Sequence, residues 1–204
     1  MRLCMFTPAE LDLERGWPGR IDGGQVTQLA AQTLQSYFSS GSKAREHAVF
    51  PLDGVCLRAP VLEPPTVRVF DDAEAFRFSN PAAIRSPGAT VPRPGGRLDA
   101  TARLAAVVGG EGEIAGWTGL VEWLAPSLPQ PKDCDFCLLL GPVVETEPVD
   151  GFDWEAACSL AAGNTRLRPG DLLAGPPLTR YEDVRAGGFA HDFARLGELR
   201  ALVS

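Results

Sequence analysis

The stretch from Phe76 to Gly109 constrains the fold more than any other part of this chain. It opens on Phe76-Arg-Phe-Ser79, a short aromatic-rich run with strand character. A turn region follows, from Asn80 to Gly96, punctuated throughout by proline and glycine. The stretch closes on Leu98-Asp-Ala-Thr-Ala-Arg-Leu-Ala-Ala-Val-Val-Gly109, an apolar run of small and β-branched residues that reads as a buried strand. Two strands separated by so many backbone breakers exclude a helix bundle, and the chain's 18 prolines and 22 glycines extend that conclusion to its whole length.

The remaining elements follow from local pattern. Arg2–Thr7 reads as a strand, and Gly19–Val26 as a hairpin turning at Asp22-Gly-Gly24. From about Thr27 to Phe38, Leu29, Thr33, Leu34 and Phe38 fall near one face of a helix that ends at Ser39-Ser-Gly-Ser42. Prolines between Pro60 and Pro65 mark a linker. Leu138–Thr146 is a second buried strand, Asp153–Ala162 a short helix capped by Asp153, and Gly188–Val203 supplies closing strands. The expected class is α+β, mostly β, with a small N-terminal domain over 1–60 and a larger one over 61–204.

Charge and composition exclude several functions. A net charge of −7 with no basic run leaves nothing to neutralise a phosphate backbone. No apolar run reaches the roughly 18 residues a membrane helix needs, and the N-terminus lacks the apolar core of a signal peptide. Five scattered cysteines, an odd number, point to a reducing cytoplasm rather than a disulfide framework. Cys134-Asp-Phe-Cys137 is a single C-x-x-C; with no second pair or histidine pair beside it, two free thiols is the better reading than a zinc or redox centre.

The order Phe-x-Phe-x-Asn-Pro-x-Ala-Ile-x-x-Pro-Gly (Phe76–Gly88), followed by Leu98-Asp-x-x-x-x-Leu-Ala-x-Val-x-Gly109, resembles the fumarylacetoacetate hydrolase family. Arg168-Pro-Gly-Asp171 through Pro177 resembles a further family segment, and the resemblance runs along nearly the whole chain with shortened connections after Gly109 and after Thr146. It implies a mixed β-sheet or β-roll core with short helices.

Members of that family act on 2-oxo acids and acylpyruvates around Mg²⁺ or Mn²⁺, ions that take hard oxygen ligands. In the register set by the motifs, the positions of the four carboxylate ligands read Val69, Thr101, Arg103 and Glu122, so one carboxylate remains. Phe76 stands at the catalytic histidine, Cys134 at the catalytic lysine, Pro126 at the arginine and Pro176 at the threonine. The expectation is therefore no metal and no cofactor.

Thr101 and Arg103 share one strand face, since side chains alternate with period two. A buried arginine needs a partner, and Glu122 is the expected one, either filling the metal position or leaving the guanidinium as a fixed cation for a carboxylate or enolate. Arg103, Glu122, Lys132 and Cys134 are the candidate catalytic residues. Asp71, Asp72 and Glu74 read as a helix cap rather than an acid/base pair, Trp117 and Trp123 as core, and Arg180, Arg185, Arg195 and Arg200 as solvated surface charges.

Two classes of function remain. One is a non-hydrolytic small-molecule-binding or structural relative, a pseudoenzyme that pairs with itself or with an active paralogue. The other is a metal-independent isomerase, decarboxylase, cyclase or dehydratase acting on a 1,3-dicarbonyl or 2-oxo acid. An ordinary metal-dependent hydrolase of carbon–carbon bonds is the least favoured.

Overall fold

The computed structural model describes residues 1–11, 13 and 15–204. In chain order the elements are β1 (Arg2–Pro8), β2 (Trp17–Asp22), β3 (Gln25–Leu29), α1 (Leu34–Ser39), β4 (Glu46–Pro51), β5 (Val55–Arg58), β6 (Val67–Phe70) and β7 (Phe76–Ser79). Then come β8 (Ile84–Arg85), β9 (Thr90–Val91), β10 (Asp99–Val108), β11 (Ile114–Leu124), β12 (Leu138–Glu145), α2 (Trp154–Ala162), β13 (Leu172–Tyr181), β14 (Gly187–Asp192) and β15 (Glu198–Val203). The protein is thus mostly β with two short α-helices, the expected class. No helix among the described residues is long and apolar enough to cross a membrane.

One large mixed sheet runs β4-β3-β2-β1-β12-β11-β10-β13-β6-β7, with β5 attached to β1 and β8 to β12. A second sheet, β14-β15-β9, covers part of it. Its Phe193 ring packs onto Gly119 of β11 so closely that a Cβ there would sit 2.5 Å from a ring carbon. Between the sheets lies a core of Trp123, Val121, Leu139, Phe189 and Leu199. A second core, with Leu3, Met5, Leu34, Val69, Leu120 and Leu172, lies under α1. A third, with Phe70, Trp117, Trp154 and Leu173, lies under α2. Trp117 and Trp123 are core residues, 7% and 0% exposed.

The β2–β3 hairpin turns at Gly23, whose φ of +55° is one that glycine adopts without steric cost. The helix expected from Thr27 starts later. Val26 and Thr27 continue β3, pairing with Ile21 and Arg20, because β-branched residues fit a pleated surface better than a helix. The helix begins where Thr33 can cap it: its side chain accepts from the Ser36 N–H, and the Ser36 hydroxyl accepts from the Thr33 N–H. Asp153 caps α2 as expected, accepting from Ala156 N–H.

The helix start expected at Asp71–Glu74 does not form. The chain there makes a tight connection between β6 and β7, with Asp72 accepting from the Glu74 and Ala75 N–H groups. The five residues from Asp71 to Ala75 leave room only for a turn, and a short polar side chain satisfies its backbone donors.

Candidate functional site

Four of the singled-out positions, Val69, Thr101, Arg103 and Glu122, converge with Arg77 on one face of the large sheet. Arg77 of β7 lies opposite Val69 of β6, and Val69 beside Ala174 of β13. Ala174 pairs with Ala105 of β10, and Thr101 of β10 with Glu122 of β11. Cross-strand partners share a face, and Thr101, Arg103 and Ala105 share it by alternation. Strand geometry alone therefore brings together Val69, Arg77, Thr101, Arg103 and Glu122.

Arg103 is 3% exposed, and both terminal nitrogens of its guanidinium are hydrogen-bonded. Nη1 donates to the carbonyls of Phe70 and Gly175, both at 3.0 Å, and Nη2 donates to Asp71 Oδ1 at 3.0 Å. Nε stands 3.5 Å from Glu122 Oε2, an ion pair without a hydrogen bond. The Gly175 carbonyl is free to accept because the β10–β13 register shifts on both sides of Arg103. Pro176 and Pro177, which lack the N–H groups a ladder needs, lie at that irregularity.

Glu122, 5% exposed, lies between two guanidiniums. On the far side from Arg103, Arg77 Nη2 donates to both carboxylate oxygens at 2.6 Å. Burial opposes the charge on Arg77, but its hydrogen bond to Glu122 and the Glu122 charge outweigh that and raise its pKa above the ordinary arginine value. The four charges alternate, Asp71, Arg103, Glu122, Arg77. The inner pair is buried, while the Asp71 and Arg77 side chains are 65% and 43% exposed.

The other candidates fall at the margin. Cys134 is half-buried, and burial, then Asp133, then Glu122 push its thiol up to about 11, partly offset by Arg77. A thiol so rarely ionised is a poor nucleophile at neutral pH. Lys132 is exposed, its Nζ 2.7 Å from Asp135 Oδ2. Cys137 is buried in the core between the sheets, where burial pushes it up to about 12. Of the Cys134-x-x-Cys137 pair, only Cys134 feels the charges of the cluster. All five cysteines are free thiols.

His191 makes no contact with the charge cluster among the described residues; its Nδ1 is 2.6 Å from the Tyr181 hydroxyl in an aromatic cluster with Phe193. His47 is exposed.

Two members of the cluster escaped the sequence reading. Asp71 reads as a helix cap because its partner, Arg103, is distant in sequence. Arg77 carries a signal only once β6 and β7 are paired, when alternation puts it beside Val69. The hairpin that presents it is clamped from the opposite face, where the Arg68 guanidinium lies 5.7 and 5.5 Å from the Phe76 and Phe78 rings. Arg68 is in turn 3.5 Å from the buried Asp171.

These residues do not fit a divalent ion. Mg²⁺ or Mn²⁺ takes about six oxygen ligands with carboxylates prominent among them. Here the one buried carboxylate lies between two cations. Among the described residues no three His, Cys, Asp or Glu side chains gather where they could hold a metal.

No family model matches the chain, and no curated protein does. Solved structures do. Maleylpyruvate hydrolase from Sphingobium sp. SYK-6 is similar with a TM-score of 0.77 at 18% identity, over 100% of this chain and 99% of that one. The same protein in complex with manganese(II) ion and pyruvate gives 0.76 at 18% identity, over 100% and 98%. The 5-carboxymethyl-2-hydroxymuconate delta-isomerase from Mycobacterium smegmatis gives 0.77 at 16% identity, over 100% and 99%. Hydrolases and isomerases thus share this architecture, and likeness at such identities speaks for the fold alone. The chain has the fumarylacetoacetate hydrolase fold.

Proposed function

We propose that this is a fumarylacetoacetate hydrolase-fold protein in which the Arg103 guanidinium stands where relatives hold a divalent cation. In this reading the chain works without metal as a non-hydrolytic small-molecule-binding or structural protein. One observation carries it: a buried arginine whose positive charge is matched by Glu122 and Asp71 and whose Nη1 donors are taken by the Phe70 and Gly175 carbonyls. A cation so satisfied neutralises the remaining carboxylate and fills the space, and a guanidinium cannot be deprotonated to make way for a metal. Free thiols support a reducing, cytoplasmic setting, and self-pairing or pairing with a paralogue belongs to the same proposal.

A second reading, a metal-independent enzyme acting on a 1,3-dicarbonyl or 2-oxo acid, draws on one feature. Arg77 is half-exposed beside Glu122 and could present a fixed positive charge to a developing enolate. The raised Cys134 pKa and the Lys132–Asp135 pair leave it no evident acid or base, so it ranks second.

Manganese titration by calorimetry, with acylpyruvate cleavage assayed with and without chelator, tests the first reading. The expected result is no stoichiometric manganese and no chelator-sensitive cleavage. One bound manganese per chain, lost in Glu122→Gln, would overturn it.

A further inference from the structure

A concavity of about 950 Å³ opens between α1 and the segments 59–64 and 81–85, and shares no lining residue with the Arg103 cluster. Met5, Ala59 and Ile84 close its base but are buried, and the apolar surface it offers comes from the partly exposed Leu62 and Pro81 and the exposed Ala82. Pro60 and Pro64 form one wall and Pro81 another, so the backbone that frames it has several φ angles locked by rings. Hydrogen bonds tie the frame together: Gln35 Nε2 donates to the Glu63 carbonyl at 3.3 Å, and Ala59 N–H donates to Ser86 Oγ at 3.1 Å.

The rim is charged. Arg15 and Arg85 line it with a single carboxylate, Glu63, among the described residues, in a protein whose net charge is −7. Arg85 is anchored at one nitrogen only. Its Nη1 donates to the carbonyls of Ala82 and Ile84, at 3.3 and 3.0 Å, and among the described residues Nη2 and Nε meet no protein acceptor. A planar fork held by one arm, with its other donors open, suits a carboxylate.

We infer that this groove is a binding site for an organic carboxylate with an apolar body, its head on Arg85 and its tail along Leu62 and Pro81. The volume lies in the range of small-ligand sites, roughly 300–1,000 Å³. Proline walls reduce the ordering that binding would otherwise require. The inference goes beyond the metal-free reading of the Arg103 cluster and stands without it.

Decanoate, below its micellar concentration, is the probe, titrated by calorimetry into the full chain. Saturable binding is expected, weakened about tenfold in Arg85→Gln, as for loss of a charge-assisted contact. It should be abolished in Ala82→Trp, where a ring on an exposed lining residue fills the groove without touching the core. Decanol, with the same tail and no charge, should bind about tenfold more weakly than decanoate. The surface variant Arg166→Gln should match the wild type.

No binding overturns the proposal, as does equal binding by decanoate and decanol, or unchanged affinity in Arg85→Gln and Ala82→Trp. A groove covered by a second copy of the chain would give no heat and an Ala82→Trp variant that dissociates, which overturns it as well. Manganese binding is read out separately, so either reading can fail alone.

Discussion

Arg103 and Glu122 have almost no water to fall back on, since both are about 95% or more buried. Removing one charge from such a set leaves another uncompensated, at a cost of about 3–5 kcal/mol. Glu122→Gln should therefore lower the stability of the fold by that order in urea unfolding. A loss below about 1 kcal/mol would mean that the guanidiniums find solvent and that the cluster is not closed. At this scale the Arg103–Glu122 contact was legible because a motif put both residues in strands and a buried arginine demands a carboxylate. Asp71 and Arg77 were not, because each meets its partner only through long-range pairing of strands.

Among the elements, α1 is set by its first residue rather than by its apolar periodicity. Thr33 and Ser36 exchange hydrogen bonds at its start, and the helix is only six residues long. So short a helix depends on its cap and on the packing of Leu34, Tyr37 and Phe38. Thr33→Ala should cost about 1 kcal/mol, measured as a shift of the urea midpoint at constant m-value. Thr33→Asp, which keeps an accepting oxygen, should recover most of it. The apolar spacing of Leu29, Thr33 and Leu34 invited a longer helix, yet β3 holds Val26 and Thr27 in hairpin register, and tertiary pairing overrides so weak a periodic signal. The prolines of β13 act the other way: a local feature, missing N–H groups, irregularises the ladder beside Arg103 and frees the Gly175 carbonyl for it.

Across the whole molecule, residues before and after the proline-rich segment Pro60–Pro65 build one sheet, since β1 pairs with β12 through Arg2–Glu145 and Leu3–Val144. Leu3, Met5, Leu29, Leu34, Tyr37 and Phe38 share a core with Val69, Leu120 and Leu172. The full chain should therefore unfold in one transition, with circular dichroism and tryptophan fluorescence coincident. A fragment of residues 61–204, with that core face bare, should aggregate. A soluble fragment with its own cooperative transition would instead establish 1–60 as a separate domain.

The sequence by itself marked several of the strands, among them Arg2–Thr7, Phe76–Ser79 and Leu98–Gly109, and the places where proline and glycine interrupt them, and the resemblance added the expectation that one ligand carboxylate remains of four. These are local matters of side-chain alternation, ring-locked φ angles and chemical identity. Only the tertiary structure decided that Arg77 and Asp71 complete the charge cluster and that Lys132 stands aside. It also decided that a rigid, cation-rimmed groove lies elsewhere. Each of those depends on groups far apart in the chain being brought within a few ångströms, and no local pattern encodes that distance.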